Sequence, residues 1–231
     1  MPDPNEVPLF EATPGHGDVR GGVVVIQEAF GVNAHIQDVC RRFADERYHA
    51  VAPHIFHRTG GGVAGYGEFD KVIEHMKVLD DDKVLSDVDA ALAHLGAAGI
   101  PPERTAVIGF CFGGRVSFLV SVRRKLGAGV GFYGGGIVSA GRLPFPPLVD
   151  EVPQLQTPWL GLFGDQDQSI PVADVERLRE ELDRSAPVDH GVRIYEGAGH
   201  GFFCDQRDSF HAEAAADAWP RALDWIGSHL A

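Results

Sequence analysis

The chain alternates short, continuous apolar runs with longer stretches in which apolar residues recur every three or four positions. The run from Gly22 to Gln27 is typical, because it is apolar throughout and is bounded by Gly21 and Glu28. Such runs predict strands that are buried on both faces of a parallel sheet. From runs of this kind, and from shorter segments between turn residues, we predict strands at 22–27, 50–56, 105–108, 128–133, 158–163 and 192–195. In the second of these, Pro53 should break the ladder, so that the segment ends in a loop.

The longer stretches have helical spacing. After Asn33, a good helix cap, apolar residues recur on one face as far as Tyr48. Strands and helices that alternate at these lengths predict βαβ units. We therefore expect one α/β domain over residues 1–231, with a mostly parallel sheet flanked by helices on both faces. The predicted helices are 33–48, 82–98, 115–124, 171–184 and 211–229.

Two segments fit neither pattern. Residues 58–67 are rich in glycine but lack the Gly-Lys-Ser/Thr ending of a phosphate loop, so we predict a mobile rim or lid there. Residues 141–156 are rich in proline and are expected to be irregular. His54 and His57 lie near a strand end without a third ligand spaced nearby, so no zinc site is expected there.

Composition narrows the possible partners and location. The net charge of −13 argues against a nucleic-acid or anionic-membrane partner. Three widely spaced cysteines without a C-x-x-C pair indicate neither a disulfide framework nor a zinc ribbon, and they favour a reducing compartment. The amino terminus lacks the pattern of a leader and no apolar run is long enough to span a bilayer. We expect a soluble, cytoplasmic protein.

The stretch from Arg104 to Gly114 carries the clearest chemical signal. A short apolar strand leads into a glycine-bracketed turn, Gly109-Phe-Cys-Phe-Gly113, and a helix follows. This context is that of the G-x-S-x-G nucleophile elbow, with Cys111 in the serine position. The helix start favours a thiolate, and the Phe112 N–H could donate to an oxyanion. Alternatively, a cysteine after a buried strand is a small core residue.

Polar side chains follow four of the predicted strands: Glu28, Cys111, Asp167 and His200. The carboxyl ends of parallel strands are where the reactive site of an α/β sheet lies. Nucleophile, acid and histidine in this chain order match the α/β-hydrolase triad, with His200 as base and Asp167 as its orienting acid. The alternatives are a triad at Asp165, a solvated Glu28 and a packed turn histidine.

These residues resemble the dienelactone hydrolase (carboxymethylenebutenolidase) family, which has the α/β-hydrolase fold. The resemblance implies that Cys111 is the nucleophile, His200 the base and Asp167 the acid. It also implies that Glu28 contacts the resting thiol and that the Ala29 N–H joins the oxyanion hole. The resemblance extends from about Val23 to Leu230 and rests on segments 27–33, 109–114, 132–134, 164–167 and 198–200.

The chain departs from that pattern in its arginines. The family places an arginine four residues after the histidine, where this chain has Cys204. A second family arginine, before the elbow strand, is also missing, because none occurs between Arg58 and Arg104. We therefore do not expect the dienelactone itself to be a good substrate. Arg58 and Arg207 are candidate replacements, and Tyr133 is a further candidate substrate contact.

The pattern as a whole predicts a hydrolase that cleaves a small-molecule ester, lactone or similar acyl bond through a thioester at Cys111. No metal or organic cofactor is required by this chemistry. The protein would be a monomer or a homodimer. Two alternatives stay open: a binding protein that keeps the fold without activity, and a thiol redox sensor that uses Cys111, with Cys204 as a conceivable partner.

Overall fold

A computed structural model describes residues 7–140 and 144–231 and contains a seven-stranded sheet. The strand order is β1-β3-β2-β4-β5-β6-β7, and every neighbouring pair is parallel except β1 with β3. The strands are β1 (Leu9–Ala12), β2 (Gly21–Ile26), β3 (Tyr48–Pro53), β4 (Thr105–Phe110), β5 (Ala128–Phe132), β6 (Trp159–Gly164) and β7 (His190–Tyr195).

Six α-helices connect or follow these strands in the described part of the chain. The five predicted helices are present, and Phe69–Met76 is an additional one. That helix has only Val72 and Met76 buried, so its apolar stripe is too thin to stand out in the sequence. The helices are α1 (Ala34–Asp45), α2 (Phe69–Met76), α3 (Asp81–Ala97), α4 (Phe112–Arg123), α5 (Val172–Ser185) and α6 (Ala212–His229).

Several boundaries differ from the predictions. Strand β3 ends at Pro53, where a break in the ladder is expected, and Ile55–Thr59 forms a 3₁₀ helix where the prediction has a loop. Helix α4 begins at Phe112, because the turn at Cys111 takes a single residue. The proline-rich segment contains a 3₁₀ turn at Val149–Gln154, while residues 141–143 of that segment lie outside the described residues.

The order of the strands determines where helices and site lie. The chain runs from β2 outwards to β3, then returns to β4 and continues in the other direction to β7. Because parallel crossovers are right-handed, reversing the direction moves the helices to the opposite face. The predicted α/β architecture, with helices on both faces, is therefore confirmed. The reversal also brings the carboxyl ends of β2 and β4 side by side, and the crevice beyond such strand ends is where open α/β sheets bind ligands.

The sheet's interior is apolar and close-packed around its centre. All residues of β2 to β6 are buried, as the continuous apolar runs predict for strands covered on both faces. The largest of these side chains is Trp159, whose indole N–H donates to the Ser117 hydroxyl of α4. In the described residues, we find no helix with the length and apolarity that a membrane crossing demands.

Candidate active site

Cys111 forms the sharp turn between β4 and α4. Its backbone has a φ of 54° and a ψ of −114°, a conformation that non-glycine residues rarely adopt. The Cys111 N–H donates to the Phe132 carbonyl, and its own carbonyl accepts from Gly114 in the first turn of α4. These bonds hold the strained turn in place and leave the side chain partly exposed above the sheet.

Two glycines make this turn possible. A Cβ atom on Gly109 would lie 1.9 Å from the Gly113 carbonyl oxygen. A Cβ atom on Gly113 would lie 2.4 Å from the Ile26 carbonyl oxygen. Both contacts are with backbone, which cannot rotate away. The glycines that bracket Cys111 in the sequence therefore allow α4 to start close against β2 and β4.

The three residues predicted as a triad form one hydrogen-bonded chain. His200 Nε2 lies 3.1 Å from Cys111 Sγ, and His200 Nδ1 lies 2.7 Å from Asp167 Oδ2. The second Asp167 oxygen accepts from the Ser169 N–H at 2.8 Å. The Asp167 side chain is also only 1% exposed. Burial and these two hydrogen bonds together fix its orientation. The two ring nitrogens of His200 are thereby turned to the thiol and to the acid.

The charges within this hydrogen-bonded triad favour the protonated, positively charged form of the His200 imidazole. Burial acts to lower the pKa of His200, but the negative sulfur of Cys111 and the hydrogen bonds with Asp167 and Cys111 outweigh burial. Together they raise the pKa of His200 to about 10. An imidazolium beside the sulfur stabilises a thiolate, which is the reactive form of cysteine. The arrangement is therefore suited to nucleophilic attack.

Asp165, the alternative acid, has a different position. Its Oδ1 accepts from the Gly197 N–H at 2.8 Å and from the side chain of Gln166 at 3.2 Å. The hydrogen bond from Gly197 joins the turn after β6 to the turn after β7. Of the two aspartates, Asp167 is the one that contacts His200.

The two N–H groups expected in an oxyanion hole are available. Ala29 follows β2 and Phe112 opens α4, so both lie at the crevice between the ends of β2 and β4. Within residues 7–140 and 144–231, neither N–H donates a hydrogen bond to a protein atom. An unpaired N–H at a helix start is well placed to stabilise a developing negative charge.

Glu28 lies at the same crevice but contacts an arginine. Its side chain is fully buried, and Oε1 accepts from Arg207 Nη1 at 3.2 Å. Burial raises the pKa of Glu28, while the charges of Arg207 and His200 oppose that rise. Oε2 is buried without a protein partner in the described residues. The resemblance implies that Glu28 contacts the resting thiol. In the described residues this contact is absent, because the Cys111 sulfur faces His200.

The two candidate anion contacts differ in their surroundings. Arg58 Nη1 donates to Asp87 Oδ2 at 2.5 Å, and Asp87 is completely buried in α3. His57 also contacts this carboxylate, so Arg58 neutralises a buried charge. Arg207, by contrast, is paired with Glu28 beside the thiol and packs over the rings of Phe30 and Tyr66. Only Arg207 is thus brought to the crevice with the triad.

Tyr133, the third candidate contact, follows β5. Its ring packs edge-on against the His200 imidazole, with ring centroids 5.2 Å apart. The backbone has a φ of 37°, so the residue occupies a strained turn comparable to that of Cys111. The hydroxyl is buried and has no protein partner in the described residues. A buried hydroxyl needs a hydrogen bond, so this atom can receive a polar group of a ligand or a water.

The sequence patterns missed one contributor to the crevice. Tyr66 lies in the glycine-rich segment predicted as a lid, and its hydroxyl contacts Cys204 Sγ at 3.1 Å. The same hydroxyl accepts from the Asn33 side chain at 3.2 Å. The segment is further held by the hydrogen bond from Ala64 N–H to the Phe30 carbonyl. A lone aromatic among glycines was the only sequence signal for this contact.

Comparison with known proteins agrees with this geometry. The model of the dienelactone hydrolase family matches residues 10–230. The chain belongs to the dienelactone hydrolase family. It is accordingly a hydrolase of carboxylic esters or lactones that acts on small molecules. The resemblance drawn from the motifs is confirmed by this match.

Individual relatives are similar along most of their length. A Synechocystis protein provisionally named carboxymethylenebutenolidase is 41% identical over 213 residues, covering 90% of this chain and 86% of the relative. A Yersinia pestis protein with the same provisional name is 38% identical over 229 residues, covering 97% and 85%. The crystal structure of a provisionally named dienelactone hydrolase from Klebsiella pneumoniae has a TM-score of 0.87 at 35% identity, covering 95% of this chain and 92% of that chain.

The three cysteines should differ sharply in reactivity. Burial raises the pKa of Cys40 to about 12, and burial also raises the pKa of Cys204. Cys111 is partly exposed and has the His200 imidazole beside it. We therefore expect brief treatment with iodoacetamide at pH 7 to label Cys111 before either other cysteine.

Peptide mass spectrometry after a time course measures this order of labelling. His200→Ala should slow the labelling of Cys111, because the cation that stabilises the thiolate is lost. Preferential labelling of Cys40 would contradict both the elbow geometry and the burial of α1.

Proposed function

We propose that this family member hydrolyses its ester or lactone through a thioester formed on Cys111. The observation that carries the proposal is the hydrogen-bonded chain from Cys111 Sγ through His200 to Asp167, with distances of 3.1 Å and 2.7 Å. Nucleophile, base and orienting acid are thus within hydrogen-bond reach of each other before any substrate binds. The strained turn at Cys111 supports the same assignment.

Each step follows from these positions. The Cys111 thiolate attacks the acyl carbon, and the N–H groups of Ala29 and Phe112 stabilise the oxyanion that forms. The His200 imidazolium then gives its proton to the leaving alcohol oxygen as the acyl C–O bond breaks, which leaves a thioester. Water, deprotonated by His200, attacks the thioester and releases the acid. Asp167 keeps the imidazole oriented throughout.

Glu28, Arg207 and Tyr133 surround this chemistry without belonging to the triad. The Glu28–Arg207 pair, of which Glu28 is buried and Arg207 partly buried, lies beside the thiol, so its charges affect the charge that develops on the substrate. The unpartnered Tyr133 hydroxyl supports a role in binding a polar substrate atom. These three residues therefore set which esters fit, while Cys111 and His200 perform the bond exchange.

Trapping the acyl-enzyme tests the proposal directly. We would mix the protein with p-nitrophenyl acetate, quench with acid within the first turnovers and measure the intact mass and its peptides. The expected result is one added acetyl group, located on the peptide that contains Cys111 and sensitive to hydroxylamine, as a thioester is. His200→Ala should reduce the acylated fraction.

Cys111→Ala is the matched control for this experiment. It should release p-nitrophenol at the background rate and carry no acetyl group on the elbow peptide. Hydrolysis that persists in Cys111→Ala, above buffer alone, would overturn the cysteine nucleophile. Equal background for intact protein and variant across a panel of esters and lactones would favour the binding-protein alternative.

A substrate carboxylate should bring little advantage. A free arginine that binds a carboxylate contributes roughly 1.5 to 3 kcal/mol, or about one to two powers of ten. Here Arg58 is paired with Asp87 and Arg207 with Glu28. We therefore expect kcat/KM for a carboxylate-bearing lactone to be no higher than for a neutral lactone of similar size and leaving group.

Arg207→Ala and Arg58→Ala provide the matched variants for this pair of substrates. A strong carboxylate preference in the intact protein would show that one of the two ion pairs opens to substrate. Its loss in Arg207→Ala would identify that arginine as the anchor, and its survival in both variants would place the anion contact elsewhere.

A further inference from the structure

Three potential metal ligands converge far from the catalytic crevice. Glu11 Oε1 lies 2.5 Å from His49 Nε2 and 2.8 Å from His94 Nε2. All three ligand atoms lie within 4.8 Å of one another. His49 pairs with Gly22, and Gly22 pairs with Thr105, which is six residues before Cys111. About 20 Å along the strand direction therefore separates the two places.

Three separate elements build this cluster. Glu11 of β1 is opposite Val51 of β3, and His49 is two residues before Val51. Because side chains alternate along a strand, Glu11 and His49 therefore project from the same face as diagonal neighbours. Helix α3 packs on β3 and supplies His94 from its last turn. The register of the sheet and the packing of α3 therefore determine where these three side chains meet.

The exposure of the three side chains suits a site that ions can enter. The His49 side chain is 10% exposed, whereas those of Glu11 and His94 are 41% and 42% exposed. One ligand is therefore held rigidly by the sheet, and two can adjust. Their outer side faces solvent, so water molecules can complete a coordination shell.

We propose that Glu11, His49 and His94 form a binding site for a divalent transition-metal cation of the zinc type. Two imidazole nitrogens and one carboxylate oxygen suit Zn²⁺, Ni²⁺ or Cu²⁺, while Mg²⁺ and Ca²⁺ prefer all-oxygen sets. Zinc bonds of about 2.0 to 2.2 Å imply ligand atoms roughly 3.3 Å apart in a tetrahedron. Small rotations of the exposed Glu11 and His94 side chains supply that extra distance.

Metal binding here would have a structural consequence. Among the strands of the described residues, β1 lies at the edge of the sheet and has β3 as its one neighbour. An ion held by Glu11, His49 and His94 would join this edge strand to α3 by bonds stronger than the present hydrogen bonds. Because only the folded chain brings the three ligands together, the ion should stabilise the fold by mass action.

A second cluster, formed by His35, Cys204 and Asp205, is a weaker candidate. Its Cys204 sulfur already contacts the Tyr66 hydroxyl, and both His35 and Cys204 are buried. An ion would have to displace that contact and enter a closed region. The cluster of Glu11, His49 and His94 is open to solvent, and an ion entering it would replace the hydrogen bonds of Glu11 to the two histidines by direct bonds to all three residues.

Zinc titration of the whole, untagged chain tests the proposal. The background should be Cys111→Ser, so that the active-site thiol does not compete for the ion. We expect isothermal calorimetry to show one zinc ion per chain, with Kd in the micromolar range. At a hundredfold excess over Kd, Tm should rise by about 5 °C. Mg²⁺ at the same concentration should leave Tm unchanged.

Substitutions identify the ligands. His94→Ala and Glu11→Gln alter exposed side chains, so both variants should fold and should weaken zinc binding at least tenfold. His190→Ala is the control, because His190 Nε2 contacts a single carboxylate, Asp183, at 3.1 Å. It should bind zinc like the background protein. Absence of zinc binding, or affinity unaffected by His94→Ala, would show that these residues form only a hydrogen-bonded cluster.

Discussion

Replacing Asp167 by asparagine is expected to lower kcat by roughly 10²- to 10⁴-fold while the protein stays folded. The carboxylate accepts a hydrogen bond from His200 Nδ1 at 2.7 Å and supports the imidazolium. An asparagine can present its NH₂ group to Nδ1, which favours the tautomer that cannot take a proton from Cys111. It can still accept from the Ser169 N–H through its amide oxygen, so the turn is retained.

Asp165→Asn is the matched control for that substitution. Asp165 is two residues before Asp167, and its side chain accepts a hydrogen bond from the Gly197 N–H. The side-chain oxygen of an asparagine can accept the same hydrogen bond. Its kcat should stay within about threefold of the intact protein, since the residue contacts no reacting group. Steady-state hydrolysis of a p-nitrophenyl ester and circular dichroism of each variant provide the measurement. The reverse ranking would move the orienting acid to Asp165.

Gly113→Ala should destabilise the fold by about 3 kcal/mol or more, well beyond an ordinary surface substitution. The added Cβ would lie 2.4 Å from the Ile26 carbonyl oxygen and 2.6 Å from that of Gln27. Relief requires α4 to move away from β2, and this movement would also displace Cys111 from His200. Both stability and hydrolysis should therefore fall.

Gly96→Ala should instead raise the free energy of unfolding. Gly96 is an exposed residue of α3, and a Cβ atom there would have no neighbour within 4 Å. Alanine is favoured over glycine by about 0.5 to 1 kcal/mol in a helix interior, and Gly96 lies in the last turn of α3, so a gain at or below the lower end of that range is expected. Urea unfolding of both variants gives the comparison. A Gly113→Ala variant as stable as the intact protein would mean that the elbow is looser than the structure describes.

The sequence alone determined the class of fold and the core of the candidate site. Continuous apolar runs identified β2 to β6, because each of these strands is buried on both faces and leaves a local signal. Strand β7 is only partly buried, and a short segment between turn residues identified it. The elbow was visible for the same reason, since the glycines around Cys111 and the strand before it are adjacent in sequence. Asp167 and His200 were located as polar residues that follow predicted strands.

Pairing between side chains was decided by the tertiary structure. Arg58 and Arg207 were equivalent candidates in the sequence, yet Arg58 neutralises the buried Asp87 and Arg207 pairs with Glu28. The partners are 29 and 179 residues apart in the chain. A local sequence pattern does not predict ion pairs between residues so far apart in the chain. The partner of a long charged side chain is determined only when the helices and strands pack together.

The edge of the sheet shows the same limit most clearly. Strand β1 is short and half-exposed, so its four residues carry no continuous apolar run. It was missed for that reason, and Glu11 with it. The cluster of Glu11, His49 and His94 exists only because β1 pairs with β3 in one register and α3 packs beside them. Residues 38 and 83 positions apart from Glu11 meet there, since the sheet, and not the local sequence, determines which side chains share a face.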